Sequence, residues 1–297
     1  MSITKNKLTK KIVPYLYVLP IIILSGLFLY YCIGSTAYTS LYEWNGINDE
    51  MKFIGLENYK NLFEDKVFYI SLFNTLIFFV FTVGIQAALG LLLAVLLRAK
   101  LKGHTLFKSI FFMPVVMAPI IIASIFRIMM DYNLGNLNVM LRALHLDFLA
   151  ISWLGDPKYS LMSVIIVNIF EWMGFSMVMY YSGLLALPDD VFESAKIDGA
   201  GFFNTLFKIT IPMLKGTTST LIVLGIVGSL KTFDIVVMLT GGGPGRSTEF
   251  ITTFLYKRTI EEYKAGSGAA IGIVILIIAF VMSIIQIKFY ESSQKDM

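Results

Sequence analysis

The sequence is poor in cysteine, histidine and charge, and each shortage argues against a class of protein. Its 297 residues include a single cysteine, Cys32, so no disulfide framework can stabilise a secreted fold. The two histidines, His104 and His145, are far apart and have no thiol or carboxylate at metal-ligand spacing, which argues against a metal site. Only 15% of the residues are charged, whereas soluble domains carry about a quarter. The sequence also contains no block of lysine and arginine residues of the kind found in nucleic-acid-binding arms.

Long apolar runs take the place of the missing charge, and hydrophobic residues make up 57% of the chain. A helix needs about 20 apolar residues to cross a bilayer, and within lipid a single segment must be helical to satisfy its own backbone. The sequence therefore predicts an all-α membrane protein with six transmembrane helices. The predicted spans are 13–35, 69–97, 109–130, 159–185, 216–239 and 267–289.

The first apolar run differs from a cleaved secretion signal. The run from Val13 to Ile33 is longer than the apolar region of a signal, which has about 7–15 residues. Tyr31, which precedes Cys32, is also too large for a lipoprotein cleavage site. We therefore expect this run to be an uncleaved first span.

The distribution of basic residues predicts the orientation of the spans. Lysine and arginine concentrate in cytoplasmic loops, and the short segment 98–108 contains Arg98, Lys100, Lys102 and Lys108 but no acidic residue. Both termini and the segment 186–215 are therefore expected in the cytoplasm. The resulting division is a cytoplasmic tail at 1–12, a first helix with its outer loop at 13–68, a main transmembrane domain at 69–289, and a cytoplasmic tail at 290–297.

Several predicted spans contain polar residues, which are costly in hydrocarbon and usually face a cavity or a partner. Asn168, Glu171 and Trp172 lie together in the fourth span and are the candidate residues of a transport pathway. Lys231 and Asp234 lie three residues apart in the fifth span, where they could pair with each other. The alternative for all of these residues is a structural contact between helices. Two further polar residues, Asn74 and Gln86, lie in the second span.

One charged segment between the fourth and fifth spans has the pattern of a folded unit. Pro188 and the acidic residues after it predict a helix start, and Phe192, Ala195 and Gly199 would share one face of that helix. The glycines of "IDGAG" predict a sharp corner, after which "FFNTLFKIT" resumes the helix. Two short helices around a corner suit the docking of a partner, whereas a plain connecting loop is usually shorter.

The same segment resembles the EAA loop of the membrane subunits of binding-protein-dependent ABC importers. That loop has the pattern Glu-Ala-Ala, three residues, Gly, nine residues, and Ile-x-Leu-Pro. Here the sequences "ESA" from Glu193, Gly199, and "ITIP" from Ile209 to Pro212 stand at the same spacing, with Ser194 and Ile211 as conservative departures. The stretches "FMPVVMAP", "NLGNLNVML", "WLGDP", "FDIVVMLTGGGP" and "AGSGAAIG" resemble the carbohydrate branch of this family, and "LTGGGP" is similar to the first permease subunit of maltose-type systems.

The resemblance covers about residues 10–290, and it implies a type I ABC importer permease fold whose cytoplasmic coupling helix lies in an EAA loop at 188–212. It implies a non-catalytic subunit of the bacterial cell membrane, with no cofactor of its own because ATP and Mg²⁺ bind the partner ATPase. The implied partners are a second homologous permease, two cytoplasmic ABC ATPases, an extracellular solute-binding protein and a carbohydrate. The residues implied in ATPase coupling are Glu193, Ala195, Asp198, Gly199, Ile209 and Pro212.

Two other features of the sequence could indicate a different function. The stretch "TGGGPGRST" at 240–248 resembles a phosphate-binding loop, but it lacks the first glycine and the lysine and follows a membrane helix, so a turn is expected instead. An ion-coupled secondary transporter or channel would need a relay of ionisable residues and repeated halves, and the sequence contains few such residues and no visible repeat. Polyols, glycerol phosphates and oligosaccharides all remain candidate substrates.

Overall fold

The computed structural model describes residues 3–99 and 103–295, and these residues are mostly helical. Two basic residues of the segment 98–108, Lys100 and Lys102, lie outside the described residues. So do residues 1–2 of the predicted N-terminal tail and residues 296–297 of the predicted C-terminal tail. The chain divides into two compact units, of which the first comprises the chain up to Asp65 together with Leu255–Leu276, and the second comprises Lys66–Phe254 together with the chain from Ile277 onward.

The first unit begins with a continuous apolar helix. Its candidate span, Val13–Thr39, ends four residues beyond the predicted boundary and has no buried residue in its most apolar window. The elements up to Asp65 are α1 (Ile3–Ser25), a π-helical turn (Gly26–Tyr30), α2 (Tyr31–Thr39), β1 (Tyr42–Glu43), β2 (Lys52–Phe53) and α3 (Glu57–Glu64).

The polar residues of the first unit hold its non-helical segments. Strands β1 and β2 pair antiparallel, and the Asn58 side chain donates hydrogen bonds to the carbonyl oxygens of Ser40 (2.8 Å) and Tyr42 (2.9 Å). The Gly266 amide donates to the Trp44 carbonyl at 3.1 Å. The predicted outer loop is therefore ordered by hydrogen bonds within itself and by one from Gly266.

A cluster of charges also lies in the first unit. Arg258 forms ion pairs with Asp65 and with Glu262, whose carboxylate Lys264 also approaches at 3.1 Å. Partial burial favours the protonated form of Glu262, but hydrogen bonds and charge from Lys264 and Arg258 outweigh it and hold the pKa of this carboxyl below its usual range.

The second unit contains most of the remaining helices. Its elements are α4 (Lys66–Arg98), α5 (His104–Val116), α6 (Pro119–Met129), α7 (Asn136–Ala143), a 3₁₀ turn (Asp147–Leu149), α8 (Pro157–Leu185), α9 (Asp189–Ile197), α10 (Phe202–Thr205), a π-helical turn (Leu206–Thr210), α11 (Ile211–Met213), α12 (Lys215–Lys231) and α13 (Asp234–Leu239). Helix α14 (Ile251–Tyr256), followed by a π-helical turn (Lys257–Glu261), and helix α15 (Ala265–Lys295) each extend from one unit into the other.

Within residues 3–99 and 103–295, four helices are long and apolar enough to cross a membrane, and up to six such spans result if each of two bent pairs is counted as one. The predicted third span is not a straight helix, since α5 and α6 meet at 96°. Met117 and Ala118 have extended backbones there, and Pro119 disfavours a helical conformation in Ala118, the residue before it.

The predicted fifth span also differs from the structure. The segment Phe202–Met213 meets α12 at 63°, and α12 ends at Lys231 rather than continuing to 239. Thr232 and Phe233 leave the helical conformation, and the Thr232 carbonyl accepts a hydrogen bond from the Thr252 hydroxyl. A side chain distant in sequence thus satisfies a carbonyl at the end of the helix.

The core of the second unit forms where α4, α6, α8 and α13 meet. Val164 and Val236 are fully buried, and the rings of Phe78 and Phe250 pack edge to face with centroids 4.9 Å apart. A second cluster contains Tyr180, whose hydroxyl lies 3.0 Å from that of Thr218. Burial of these side chains anchors the long helices α4 and α8 to their neighbours.

Helices α4 and α8 approach closely because a glycine lies at their crossing. A Cβ atom at Gly90 would lie only 2.6 Å from the Cβ of Ser176 and 2.9 Å from the amide nitrogen of Met177. A Cβ at Gly174 would likewise overlap the Phe111 carbonyl group on α5. The close spacing of these helices therefore requires glycine, which has no side chain, at both positions.

We predict that Gly90→Ala destabilises the folded chain by about 1–3 kcal/mol, since the added methyl must separate two packed helices. Gly84→Ala on the same helix is the matched control, because its methyl would meet no atom within 4 Å. The measurement is the thermal unfolding midpoint of the purified protein in detergent. Equal midpoints for both variants would contradict the close approach of α4 and α8.

Candidate functional site: a polar cavity and a helical corner

A cavity of about 440 Å³ lies in the second unit, between α4, α8, α12 and the start of α13. Its wall is partly apolar, with Phe78, Trp172 and Phe175 among its aromatic residues. The polar and charged residues of the wall are Thr82, Gln86, Asn168, Glu171, Ser176, Ser229, Lys231, Thr232 and Asp234. An apolar wall with a few convergent polar groups is typical of a small-molecule site.

The three residues that the sequence singled out in the fourth span all line this cavity. Asn168, Glu171 and Trp172 follow one another at helical spacing on α8 and therefore lie on one face. The Asn168 side-chain oxygen and backbone carbonyl both accept hydrogen bonds from Gln86 on α4, each at 3.1 Å. Trp172 is 40% exposed and packs edge to face on Phe175.

Glu171 differs from the other polar residues of the wall. Its side chain is only 1% exposed, yet it forms no hydrogen bond or ion pair with any residue that the structure describes. Buried carboxylates are costly unless they are paired. The Glu171 carboxylate is therefore a hydrogen-bond acceptor on the cavity wall, and no described residue of the chain donates a hydrogen bond to it.

Lys231 and Asp234 also line the cavity, but they do not pair as the sequence suggested. The described residues 3–99 and 103–295 contain no ion pair between these two side chains. The reason is the helix break at Thr232 and Phe233, which removes the continuous helix on which residues three apart are neighbours. Both charged side chains can therefore interact with a molecule inside the cavity.

Asn74, by contrast, has a structural contact. Its amide donates to the carbonyl oxygens of Arg246 (3.3 Å) and Glu249 (3.1 Å), so it fixes the segment that follows α13. Within that segment the Thr248 hydroxyl donates to the Gly243 carbonyl at 2.7 Å. The glycine-rich stretch 240–248 is a turn, which confirms the interpretation that preferred a turn to a phosphate-binding loop.

The segment between α8 and α12 forms the predicted short helices around a glycine corner. Helix α9 starts at Asp189, directly after Pro188, and its first turn carries the acidic residues expected at a helix N-terminus. The corner follows at Gly199, whose φ of +72° is a conformation that glycine adopts without strain. The amide of Ala200 closes the helix end by donating to the Ala195 carbonyl at 2.9 Å.

The faces of α9 differ from the predicted arrangement. Ala195 is buried within the chain, and Gly199 lies beyond the helix, so the face proposed to admit a partner packs largely on this chain itself. The small side chain of Ala195 thus permits close packing inside the subunit. Glu193, Asp198 and Gly199 are exposed.

Other exposed residues extend the surface around α9. Ile209 and Pro212 are half-buried in the second helical segment. Four large apolar side chains stand exposed beside the acidic residues: Ile197, Phe202, Phe203 and Phe207. Sequence reasoning missed this apolar group, although its phenylalanines directly follow the glycine corner.

Comparison with known proteins places the geometry in context. A family model described as binding-protein-dependent transport system inner membrane component matches residues 71–289. The chain is 36% identical to a probable ABC transporter permease protein, YurN, of Bacillus subtilis, over 96% of this chain and 98% of that protein. It is 30% identical to the trehalose/maltose transport system permease protein MalF of Thermococcus litoralis, over 93% of this chain and 95% of that protein.

Solved structures share the fold. The chain superposes with a TM-score of 0.81 on a chain of a bacterial ABC transporter involved in the import of the acidic polysaccharide alginate. The match covers 96% of this chain and 98% of that chain, at 22% identity.

We predict that the cavity is accessible to water. In a Cys32→Ser background, Val83→Cys on the cavity wall should react with a charged thiol reagent at least tenfold faster than Val80→Cys on the same helix. Val80 is 53% exposed but does not line the cavity, and the reactive thiolate forms readily only where water reaches it. Equal labelling rates in isolated membranes would show that the cavity is not a separate aqueous space.

Proposed function

The chain belongs to the family of inner membrane components of binding-protein-dependent transport systems, and on this basis we propose that it is a permease subunit of an ATP-driven importer for a sugar or oligosaccharide. Support for the substrate class comes from relatives, since the similar permease of Thermococcus litoralis is named for trehalose and maltose transport. The fold is shared with a transporter that imports a polysaccharide.

The observation that carries the proposal is the orphaned carboxylate of Glu171 beside Asn168 and Trp172 in one cavity. Sugar hydroxyls are hydrogen-bond donors, and a carboxylate and an amide oxygen are suitable acceptors for them. The exposed indole of Trp172 offers an apolar face on which a sugar ring can pack. We therefore assign these three residues to the substrate pathway.

The proposed topology has six spans. Helices α5 and α6 cross the membrane as one broken span, whereas α12 belongs to the fifth span and the segment Phe202–Met213 leads into it from the cytoplasmic side. Both termini and α9 then lie in the cytoplasm, in accord with the basic segment 98–108. The outer loops face the solute-binding protein, and a second permease completes the translocation pathway.

Helix α9 is proposed to dock on a cytoplasmic ATPase. Its exposed acidic residues can pair with basic groups, and the apolar side chains beside them can fill a cleft on the partner. ATP and Mg²⁺ are held by the ATPase, and this chain contributes no catalytic group. Closure of two ATPase subunits moves the docked helices together and switches the cavity between inward-open and outward-open arrangements.

The substrate proposal is tested by Glu171→Gln, which keeps the shape of the side chain and removes its charge. Loss of hydrogen bonds to a charged acceptor costs about 1.5–3 kcal/mol, so sugar uptake should lose about tenfold to a hundredfold in apparent affinity. The control is Glu64→Gln, which changes an exposed carboxylate on α3, outside the cavity. The assay is uptake of labelled sugars in cells that lack the native chain.

If Glu171→Gln transports every sugar taken up by the unaltered protein with the same affinity and rate, at equal abundance in the membrane, then Glu171 does not contact the substrate. A panel of neutral, acidic and polyol substrates identifies the class that the transporter accepts.

The docking proposal is tested at the glycine corner. Gly199→Val should abolish coupled transport, because a β-branched residue is strongly disfavoured at positive φ. Gly201→Val is the matched control, since Gly201 has a negative φ and open space around it. Glu193→Ala should weaken ATPase binding by about 1–3 kcal/mol if the carboxylate pairs with a basic group there.

The measurement is co-purification of the ATPase with each variant, together with ATP hydrolysis in the reconstituted complex. Full ATPase binding and full coupled transport by Gly199→Val would mean that this segment is only a connection between spans.

A further inference from the structure

Arg98, the last residue of α4, contacts the first turn of the docking helix α9. Its guanidinium donates a hydrogen bond to the Asp189 carboxylate at 3.0 Å, and its central carbon lies 3.8 Å from the centre of the Phe192 ring. The Arg98 side chain is only 24% exposed. Asp189 and Phe192 are three residues apart and therefore share a face of α9, so one side chain holds that face at two points.

The stacking contact matters more than the ion pair. Asp189 is 86% exposed, and ion pairs with one fully hydrated partner contribute little. The planar guanidinium can cover the half-buried Phe192 ring while it keeps its hydrogen bond, which lysine cannot reproduce. The helix ends add to the contact, because a cation at the end of α4 and an anion at the start of α9 each suit the local helix dipole.

The same helix that carries Arg98 also forms a wall of the cavity. Gln86 and Val83 lie on α4, and Gln86 bonds to Asn168 on α8. Gln86 precedes Arg98 by twelve residues, about 18 Å along a helix. Helix α8 reaches α9 through the chain itself, with only residues 186–188 between them. Arg98 therefore provides a second link between the docking helix and the cavity.

We infer that Arg98 is a positioning residue that clamps α9 to the end of α4, so that displacement of the docking helix moves the cavity wall. Without the clamp, α9 keeps the packing of Ala195 and its chain connections to α8 and towards α12, but it loses its direct attachment to α4. The ATPase then still binds α9, but its closure reaches α4 only indirectly, through α8, and displaces it less. This inference rests on the proposed docking of the ATPase at α9.

The test uses the reactivity of a cysteine on the α4 wall as the reporter. In the complete transporter with Cys32→Ser and Val83→Cys, labelling by a charged thiol reagent is compared with and without Mg²⁺ and a non-hydrolysable ATP analogue. The clamped transporter should change its labelling rate on nucleotide binding. Arg98→Ala should reduce this nucleotide response by about threefold to tenfold, as expected for loss of one stacking contact and one exposed ion pair.

Two further variants separate positioning from general stability. Arg98→Lys keeps the charge but not the planar stacking, so its nucleotide response should be intermediate. If Arg98→Ala does not accumulate in the membrane, the comparison is made with Arg98→Lys alone. Arg142→Ala is the control, because the Arg142 guanidinium also combines a hydrogen bond, here to the Tyr132 carbonyl, with a ring contact, and it lies outside the docking segment. Its nucleotide response should equal that of the unaltered transporter.

The outcomes distinguish this inference from the proposed function. Cross-linking of the ATPase to Ser194→Cys, an exposed position of α9, is measured in parallel preparations that carry Cys32→Ser but not Val83→Cys. Cross-linking and an unchanged nucleotide response in Arg98→Ala and Arg98→Lys would overturn the clamp while the docking role stands. Absence of cross-linking and of any nucleotide response in the transporter with native Arg98 would overturn the docking role, and the clamp with it.

Discussion

The close packing of α4 against α8 is the constraint on which the rest of the second unit depends. Gly90 brings the two backbones together, and the hydrogen bonds from Gln86 to Asn168 fix the polar faces of the two helices opposite each other. Hydrocarbon cannot satisfy such groups, so polar residues in lipid-exposed helices must turn towards protein or a cavity. The pair of helices thereby creates a polar wall in an otherwise apolar segment.

Both parts of the candidate site lie on this helix pair. Helix α8 carries Glu171 to the cavity and continues, after three residues, into α9. Helix α4 carries Gln86 and ends at Arg98, which holds the first turn of α9. In the proposed importer, a rigid pair of helices therefore links the substrate to the ATPase, and a shift at one end reaches the other without any large rearrangement of the core.

The sequence predicted the long apolar helices, the glycine corner and the cavity-lining triplet on α8, because each depends on local pattern. The bend before Pro119 could have been predicted from the proline, whereas the end of α12 at Lys231 could not, since neither Thr232 nor Phe233 breaks a helix by itself. That break coincides with a hydrogen bond from Thr252, twenty residues later. The buried face of α9 was also missed, because a small residue such as Ala195 permits close packing on either a partner or the chain itself.

The central claim is that substrate entering this cavity is moved by ATP hydrolysis on a partner and not by an ion gradient. The charged residues Glu171, Lys231 and Asp234 in the cavity make the ion-coupled alternative a real one. The most direct measurement is sugar accumulation in proteoliposomes that contain the complete transporter, with the binding protein outside. Our account predicts accumulation only when ATP is present on the ATPase side, with no dependence on a proton or sodium gradient. Accumulation driven by either gradient without ATP would contradict it.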